Sequence, residues 1–118
     1  MSIETTIPIP SCFLFGQIVK EMRIEKRLQQ QDLATALGIE QSAYSKLERG
    51  VVAFNSLHLA KIEDGAGMEP VMLFERYEKV TADLKARGLA VESRRTKPAE
   101  IKKLSHLFFR LDIRGNHE

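Results

Sequence analysis

QQDLATALGIEQSAYSKLER, residues 30–49, is the stretch from which the fold can be read. Gly38 divides it into two short amphipathic segments. Leu33, Leu37, Ile39, Tyr44 and Leu47 supply the apolar positions that would hold two helices at an open angle. Ala34 falls where such helices cross and only a small side chain fits. A glycine between them suits a tight reversal, because the chain must pass through a backbone conformation that costs other residues energy. The pattern predicts a helix-turn-helix.

The same spacing assigns faces. On a second helix over residues 41–49, Tyr44 and Leu47 lie three apart and Glu48 lies four from Tyr44, so these point into the domain. Gln41, Ser42, Ala43, Ser45, Lys46 and Arg49 are left on the outer face and its margins. These types suit base reading: Gln bonds adenine bidentately, Lys donates to guanine acceptors, and Ala touches a thymine methyl. A recognition helix docks with its N-terminal residues on base edges. Taken singly, the same residues are ordinary soluble helix surface; the turn pattern ahead of them favours the DNA-reading role.

Over residues 15–74 the chain resembles the Xre/Cro-type helix-turn-helix family of phage and bacterial repressors. The motif FGQIVKEMRIEKRLQQQDLATALGIEQSAYSKLERG carries the likeness, with SLHLAKIEDGAGMEPVMLF following more loosely. The resemblance implies an all-α fold: a five-helix λ-repressor-like DNA-binding domain, here with a helical C-terminal extension. It implies that Gln30 anchors a DNA phosphate and braces the recognition helix. Gln41, Ser42, Ala43 and Lys46 would contact bases or nearby phosphates, and Arg23 and Glu48 would form a structural ion pair. Four positions depart from the family pattern. Gln29 and Glu40 stand where Ser, Thr or Asn caps are usual. Tyr44 replaces an aliphatic residue, so its hydroxyl needs a partner or solvent. Phe54 stands where a proline is common, leaving Asn55 or Ser56 to cap the fourth helix.

Composition sets the bounds. A chain of 118 residues, 43% hydrophobic and 29% charged, is expected to form a soluble domain with a real core and room for little else. No apolar run is long enough to span a bilayer, and the first residues lack the basic leader of a signal peptide. A cytoplasmic protein of bacterial or phage origin is expected. Cys12 is the single cysteine, which rules out an internal disulfide and a cysteine-based zinc cluster. It reads as a buried thiol, with an intermolecular redox disulfide as the alternative. The three histidines form no local metal motif, and no catalytic signature is present. Neither enzyme activity nor a cofactor or metal is expected. Net charge is +2, yet residues 1–55 balance six Lys/Arg against six Asp/Glu. A neutral half binds phosphate weakly, which argues for dimerisation on two half-sites.

Three regions are expected: an extended arm over residues 1–12, a DNA-binding domain over 13–78 and a helical extension over 79–118. Ile7-Pro8-Ile9-Pro10 cannot be helical. A first helix is predicted over 13–27, and a fourth over 56–64 burying Leu57, Leu59 and Ile62. A fifth runs from Pro70 to about residue 86, with Leu73, Tyr77, Val80 and Leu84 as a seam for a second helix. Leu89-Ala90-Val91 reads as a brief extended link. Pro98 opens a last helix, with Ile101, Leu104, Leu107 or Phe108, and Leu111 on one side and Gly115 closing it. These stripes either cover their own domain or, the favoured reading, form a dimer interface. Arg94, Arg95, Lys97, Lys102 and Lys103 form a basic segment, read as a solvated linker or as added phosphate contacts. The leading expectation is a homodimeric repressor of a palindromic operator on double-stranded DNA. The alternative is an antitoxin that autoregulates its promoter and binds a toxin through the C-terminal region. A third reading is a protein-interaction domain without DNA binding.

Overall fold

Apolar residues three and four apart build six α-helices among the residues described by the computed structural model, 8–111. In chain order these are β1 (Ile9–Pro10), α1 (Ser11–Glu25), α2 (Gln30–Leu37), α3 (Gln41–Glu48), α4 (Ser56–Ala66), α5 (Pro70–Ala86), β2 (Val91–Glu92), and α6 (Ile101–Leu111) behind a 3₁₀ turn at Pro98–Glu100. The fold is all-α, with two two-residue strands as its only sheet among the described residues. Residues 1–7 and 112–118, including Gly115, lie outside that range.

Local chemistry ends the helices where the sequence changes character. After α1 the chain turns through Arg27 at φ 60°, and the Leu28 N–H returns to the Arg23 carbonyl at 3.0 Å. This 6→1 bond satisfies an orphan carbonyl at the helix end, with a non-glycine residue in the left-handed position. Asn55, one of two candidate caps, starts α4: its side chain accepts from the His58 N–H at 2.8 Å. In return its own N–H donates to His58 Nδ1 at 3.1 Å. Burial, then Lys61, lowers the His58 pKa, which keeps the ring neutral and able to accept that bond. Pro70 opens α5, where its missing N–H costs nothing.

The core is centred on α1, which packs on α3 and α5, while α2 packs on α3 and α4. Phe13, Leu14, Ile18, Val19 and Met22 are its buried face. Gly16 lies among them at a close approach: a Cβ there would stand 2.2 Å from the Glu48 carbonyl oxygen. Gly50 is confined as well, with φ 76° and a would-be Cβ 2.5 Å from the Cys12 and Phe13 backbone.

Several expectations are corrected. Leu57 is 59% exposed, while Leu59 is half-buried and Ile62 buried. Leu59 and Ile62 are three apart, but Leu57 is five from Ile62, well off that face in a helix of 3.6 residues per turn. Ser11 and Cys12, expected in the arm, begin α1. Cys12 is half-buried rather than buried, at an apolar recess with Phe15, Phe54 and Tyr77.

The stripes of the extension find their partners within the chain. Leu73, Val80 and Leu84 are buried, with Tyr77 packed against the same core. On α6, Leu104, Leu107 and Phe108 are buried, and the Phe108 ring meets Phe13 edge-on at 5.2 Å. Each such side chain contributes about 1.5–3 kcal/mol when removed from water. The strands complete the closure: β1 pairs in parallel with β2, Ile9 opposite Val91, and the Ile9 N–H donates to the Ala90 carbonyl at 2.9 Å. These stripes therefore need no second subunit to bury them.

Candidate nucleic-acid interface

The two helices of residues 30–49 meet through the small residue between them. Ala34 is fully buried, and Gly38 takes φ 71° in the turn, its N–H bonded to the Thr35 carbonyl at 3.1 Å. Leu33, Leu37, Tyr44 and Leu47 are buried beneath, with Ile39 packed against them. α2 starts without a Ser or Thr cap. Asp32 takes over part of that work, accepting from the Gln29 N–H at 2.7 Å. Glu40 offers α3 no side-chain cap.

Behind the outer face lies a buried polar network around Glu48, which is 2% exposed. One carboxylate oxygen accepts from Arg23 Nε at 2.6 Å and from the Tyr44 hydroxyl at 2.7 Å. The other accepts from Arg23 Nη2 at 3.1 Å and from the Gln30 amide at 3.0 Å. Arg23 also donates to the Leu28 carbonyl at 3.0 Å, tying the α1–α2 turn to the same cluster. Every lone pair that burial would leave costly is used. The hydrogen bond to Glu48 raises the Arg23 pKa against the opposing effect of burial. Burial, followed by the Glu48 charge, pushes the Tyr44 phenol up, so it stays a proton donor.

The network reaches the surface. Gln30 is half-buried, and its carbonyl oxygen accepts from the exposed Gln41 amide at 3.4 Å. Gln41, Ser42, Ala43, Lys46 and Arg49 are exposed and Ser45 is half-buried. Arg49 folds back on its own helix, its Nε donating to the Ser45 carbonyl at 3.3 Å. The α3 surface therefore offers amide, hydroxyl, ammonium and guanidinium donors on a helix fixed from behind. Such a face can hydrogen-bond base edges and phosphates. Among the described residues no cluster of His, Cys, Asp or Glu is placed to hold a metal ion.

Sequence reading missed three residues behind this face. Gly16 and Gly50 let backbones touch, and buried Thr96 donates its N–H to the Gly50 carbonyl at 2.8 Å. A glycine inside the apolar stripe of α1 was the one available signal; nothing in the sequence singles out Thr96. Arg94 is engaged within the chain rather than left as free linker surface. Its guanidinium bonds Glu92 at 2.8 Å and both oxygens of Glu100 at 2.9 Å. That bond draws the Glu100 carboxyl down to about 2. A depressed carboxyl stabilises fully above its ordinary value of 4.5, and this contribution is lost as pH falls from there toward about 2.

Comparison with curated proteins and with solved structures returned no match. A protein-family model described as helix-turn-helix matches residues 19–72, from the middle of α1 to the first turn of α5. No helix among the described residues is long and apolar enough to cross a membrane. Residues 19–72 thus match the Xre-like helix-turn-helix family, a family of DNA-binding regulators.

Proposed function

We propose that the protein is a sequence-specific transcriptional regulator, a repressor acting in the cytoplasm, that binds a two-fold symmetric operator as a homodimer. The observation that carries this reading is the link from the buried Arg23–Glu48 pair through Gln30 to Gln41. It fixes the first exposed side chain of α3, the end that enters the major groove in this class of motif. Gln41, Ser42, Ala43 and Lys46 read bases or adjoining phosphates, Gln30 holds a phosphate, and Ser45 and Arg49 border the contact. Two such helices would sit about 34–36 Å apart, one turn of DNA. The protein acts by occupancy rather than catalysis.

Fluorescence anisotropy against the DNA upstream of its own gene, with a scrambled duplex as control, tests the reading. Gln41→Ala is expected to lose discrimination at one or two base pairs per half-site, about 1–3 kcal/mol each. Full specificity in that variant would mean that α3 is oriented otherwise on the groove.

Two observations support a homodimer. Residues 1–55 carry no net charge, so one subunit alone has little hold on phosphate. Exposed apolar side chains also remain on the DNA-binding domain, Leu57 on α4 and Val71 and Phe74 on α5. Val71 is 61% exposed, so Val71→Asp should leave the fold intact. Light scattering should show a dimer in the parent and a monomer in the variant; an unchanged mass places the interface elsewhere.

An antitoxin with a C-terminal toxin site is the second reading. One feature favours it: Phe109 on α6, 83% exposed beside buried neighbours. A small basic gene adjoining this one, whose product copurifies with the parent and is lost with Phe109→Ala, would establish it.

A further inference from the structure

We infer that Arg95 and Lys97 form a second DNA contact, for backbone phosphates beside the groove that α3 enters. The inference rests on the DNA-binding reading above. Thr96, between the two cations, is anchored through its N–H to the carbonyl of Gly50. Gly50 directly follows Arg49 at the end of α3, so the segment runs alongside the C-terminal end of the recognition helix. Thr96 points inward and is buried, while Arg95 and Lys97 on either side are exposed, the alternation of an extended chain. Both cations therefore emerge next to the turn that leaves the recognition helix.

Three features fit phosphate as the ligand. First, the backbone carrying the cations is held in place. The Arg94 N–H donates to Ser11 Oγ at 3.2 Å, the Cys12 N–H to the Arg94 carbonyl at 3.2 Å, and the Lys97 N–H to a Glu100 oxygen at 2.9 Å. A fixed segment loses less entropy on binding than a free linker. Second, Arg94 takes up Glu92 and Glu100, the acidic residues nearest in sequence, as salt bridges. Arg95 and Lys97 form no salt bridge among the described residues. Third, the turn between α3 and α4, Val51-Val52-Ala53-Phe54, carries no charge, and residues 1–55 balance to zero. The segment at residues 95–97 adds two cations beside an uncharged turn, next to Arg49 at the end of α3.

The test uses the full chain in anisotropy titrations over a salt series, against its upstream DNA and a random-sequence duplex. Arg95→Ala/Lys97→Ala should weaken both duplexes by the same factor. It should also flatten the slope of log K against log salt by about 0.9 for each lost phosphate contact, which is about 1.8 per subunit and about 3.6 for the dimer. Lys79→Ala/Lys85→Ala, on the exposed side of α5, removes the same charge and should leave the slope in place. Circular dichroism melts, and a second variant with glutamine at both positions, separate lost contacts from lost fold. A slope unmoved in folded double variants, or moved equally by the α5 control, overturns the inference while leaving the DNA-binding reading intact. Selective loss of discrimination at constant slope also overturns it, because the segment would then position α3 rather than touch phosphate. Failure of the parent protein to bind either duplex at low salt overturns both readings.

Discussion

Glu48→Ala is expected to lower the free energy of unfolding by about 3–5 kcal/mol, because it strands a buried charge. Arg23 is 8% exposed and would keep only the Leu28 carbonyl as a partner. The Tyr44 hydroxyl and the Gln30 amide lose their acceptor in the same step. Small domains have about 5–15 kcal/mol in total, so the variant should lose a large share of its stability. Urea unfolding followed by circular dichroism measures the loss. Arg23→Leu/Glu48→Leu removes both charges, and its cost should fall well short of the sum of the two single substitutions. A loss below about 1 kcal/mol in Glu48→Ala would mean that water already solvates the pair. The DNA-facing surface would then lack the rigid support ascribed to it.

That network shows what a sequence can and cannot disclose. The helix-turn-helix is legible because its determinants are local: an apolar period, a small residue at the crossing and a glycine in the turn, all within 20 residues. Family likeness pointed to Arg23 and Glu48, 25 residues apart, and the structure sets them 2.6 Å apart. It gave no hint that Tyr44, an unusual residue at its position, would send its hydroxyl to the same carboxylate. Periodicity shows that a face is apolar without showing what covers it. The stripes of α5 and α6 are legible as apolar, but their period leaves open whether a partner or the same chain covers them, and Phe108 lies on Phe13 of the same chain. Strands of two residues, Ile9–Pro10 and Val91–Glu92, are too short to leave an alternating pattern. In the sequence Arg94 is one cation among five, because a salt bridge depends on where side chains reach rather than on how many charges a segment holds.

Gly16→Ala sets two effects of opposite sign against each other. Alanine inside a helix is favoured over glycine by about 1 kcal/mol, since glycine has more backbone freedom to lose. The added methyl, however, would lie 2.2 Å from the Glu48 carbonyl oxygen, 2.7 Å from its carbon and 2.9 Å from the Leu47 oxygen. These are backbone atoms of α3, and no rotamer change can move them aside. The helices must separate, and overpacking of this kind costs about 1–3 kcal/mol, occasionally more. A clash against main chain belongs at the upper end, so a net destabilisation of about 2 kcal/mol is expected. The displacement falls on the recognition helix itself, so affinity for the upstream DNA should fall further than affinity for a scrambled duplex. Thermal denaturation and anisotropy on the same preparation read the two effects separately. A neutral or stabilised variant with intact discrimination would show that α1 does not seat α3 through Gly16, and that the recognition helix takes its position from the Glu48 network alone.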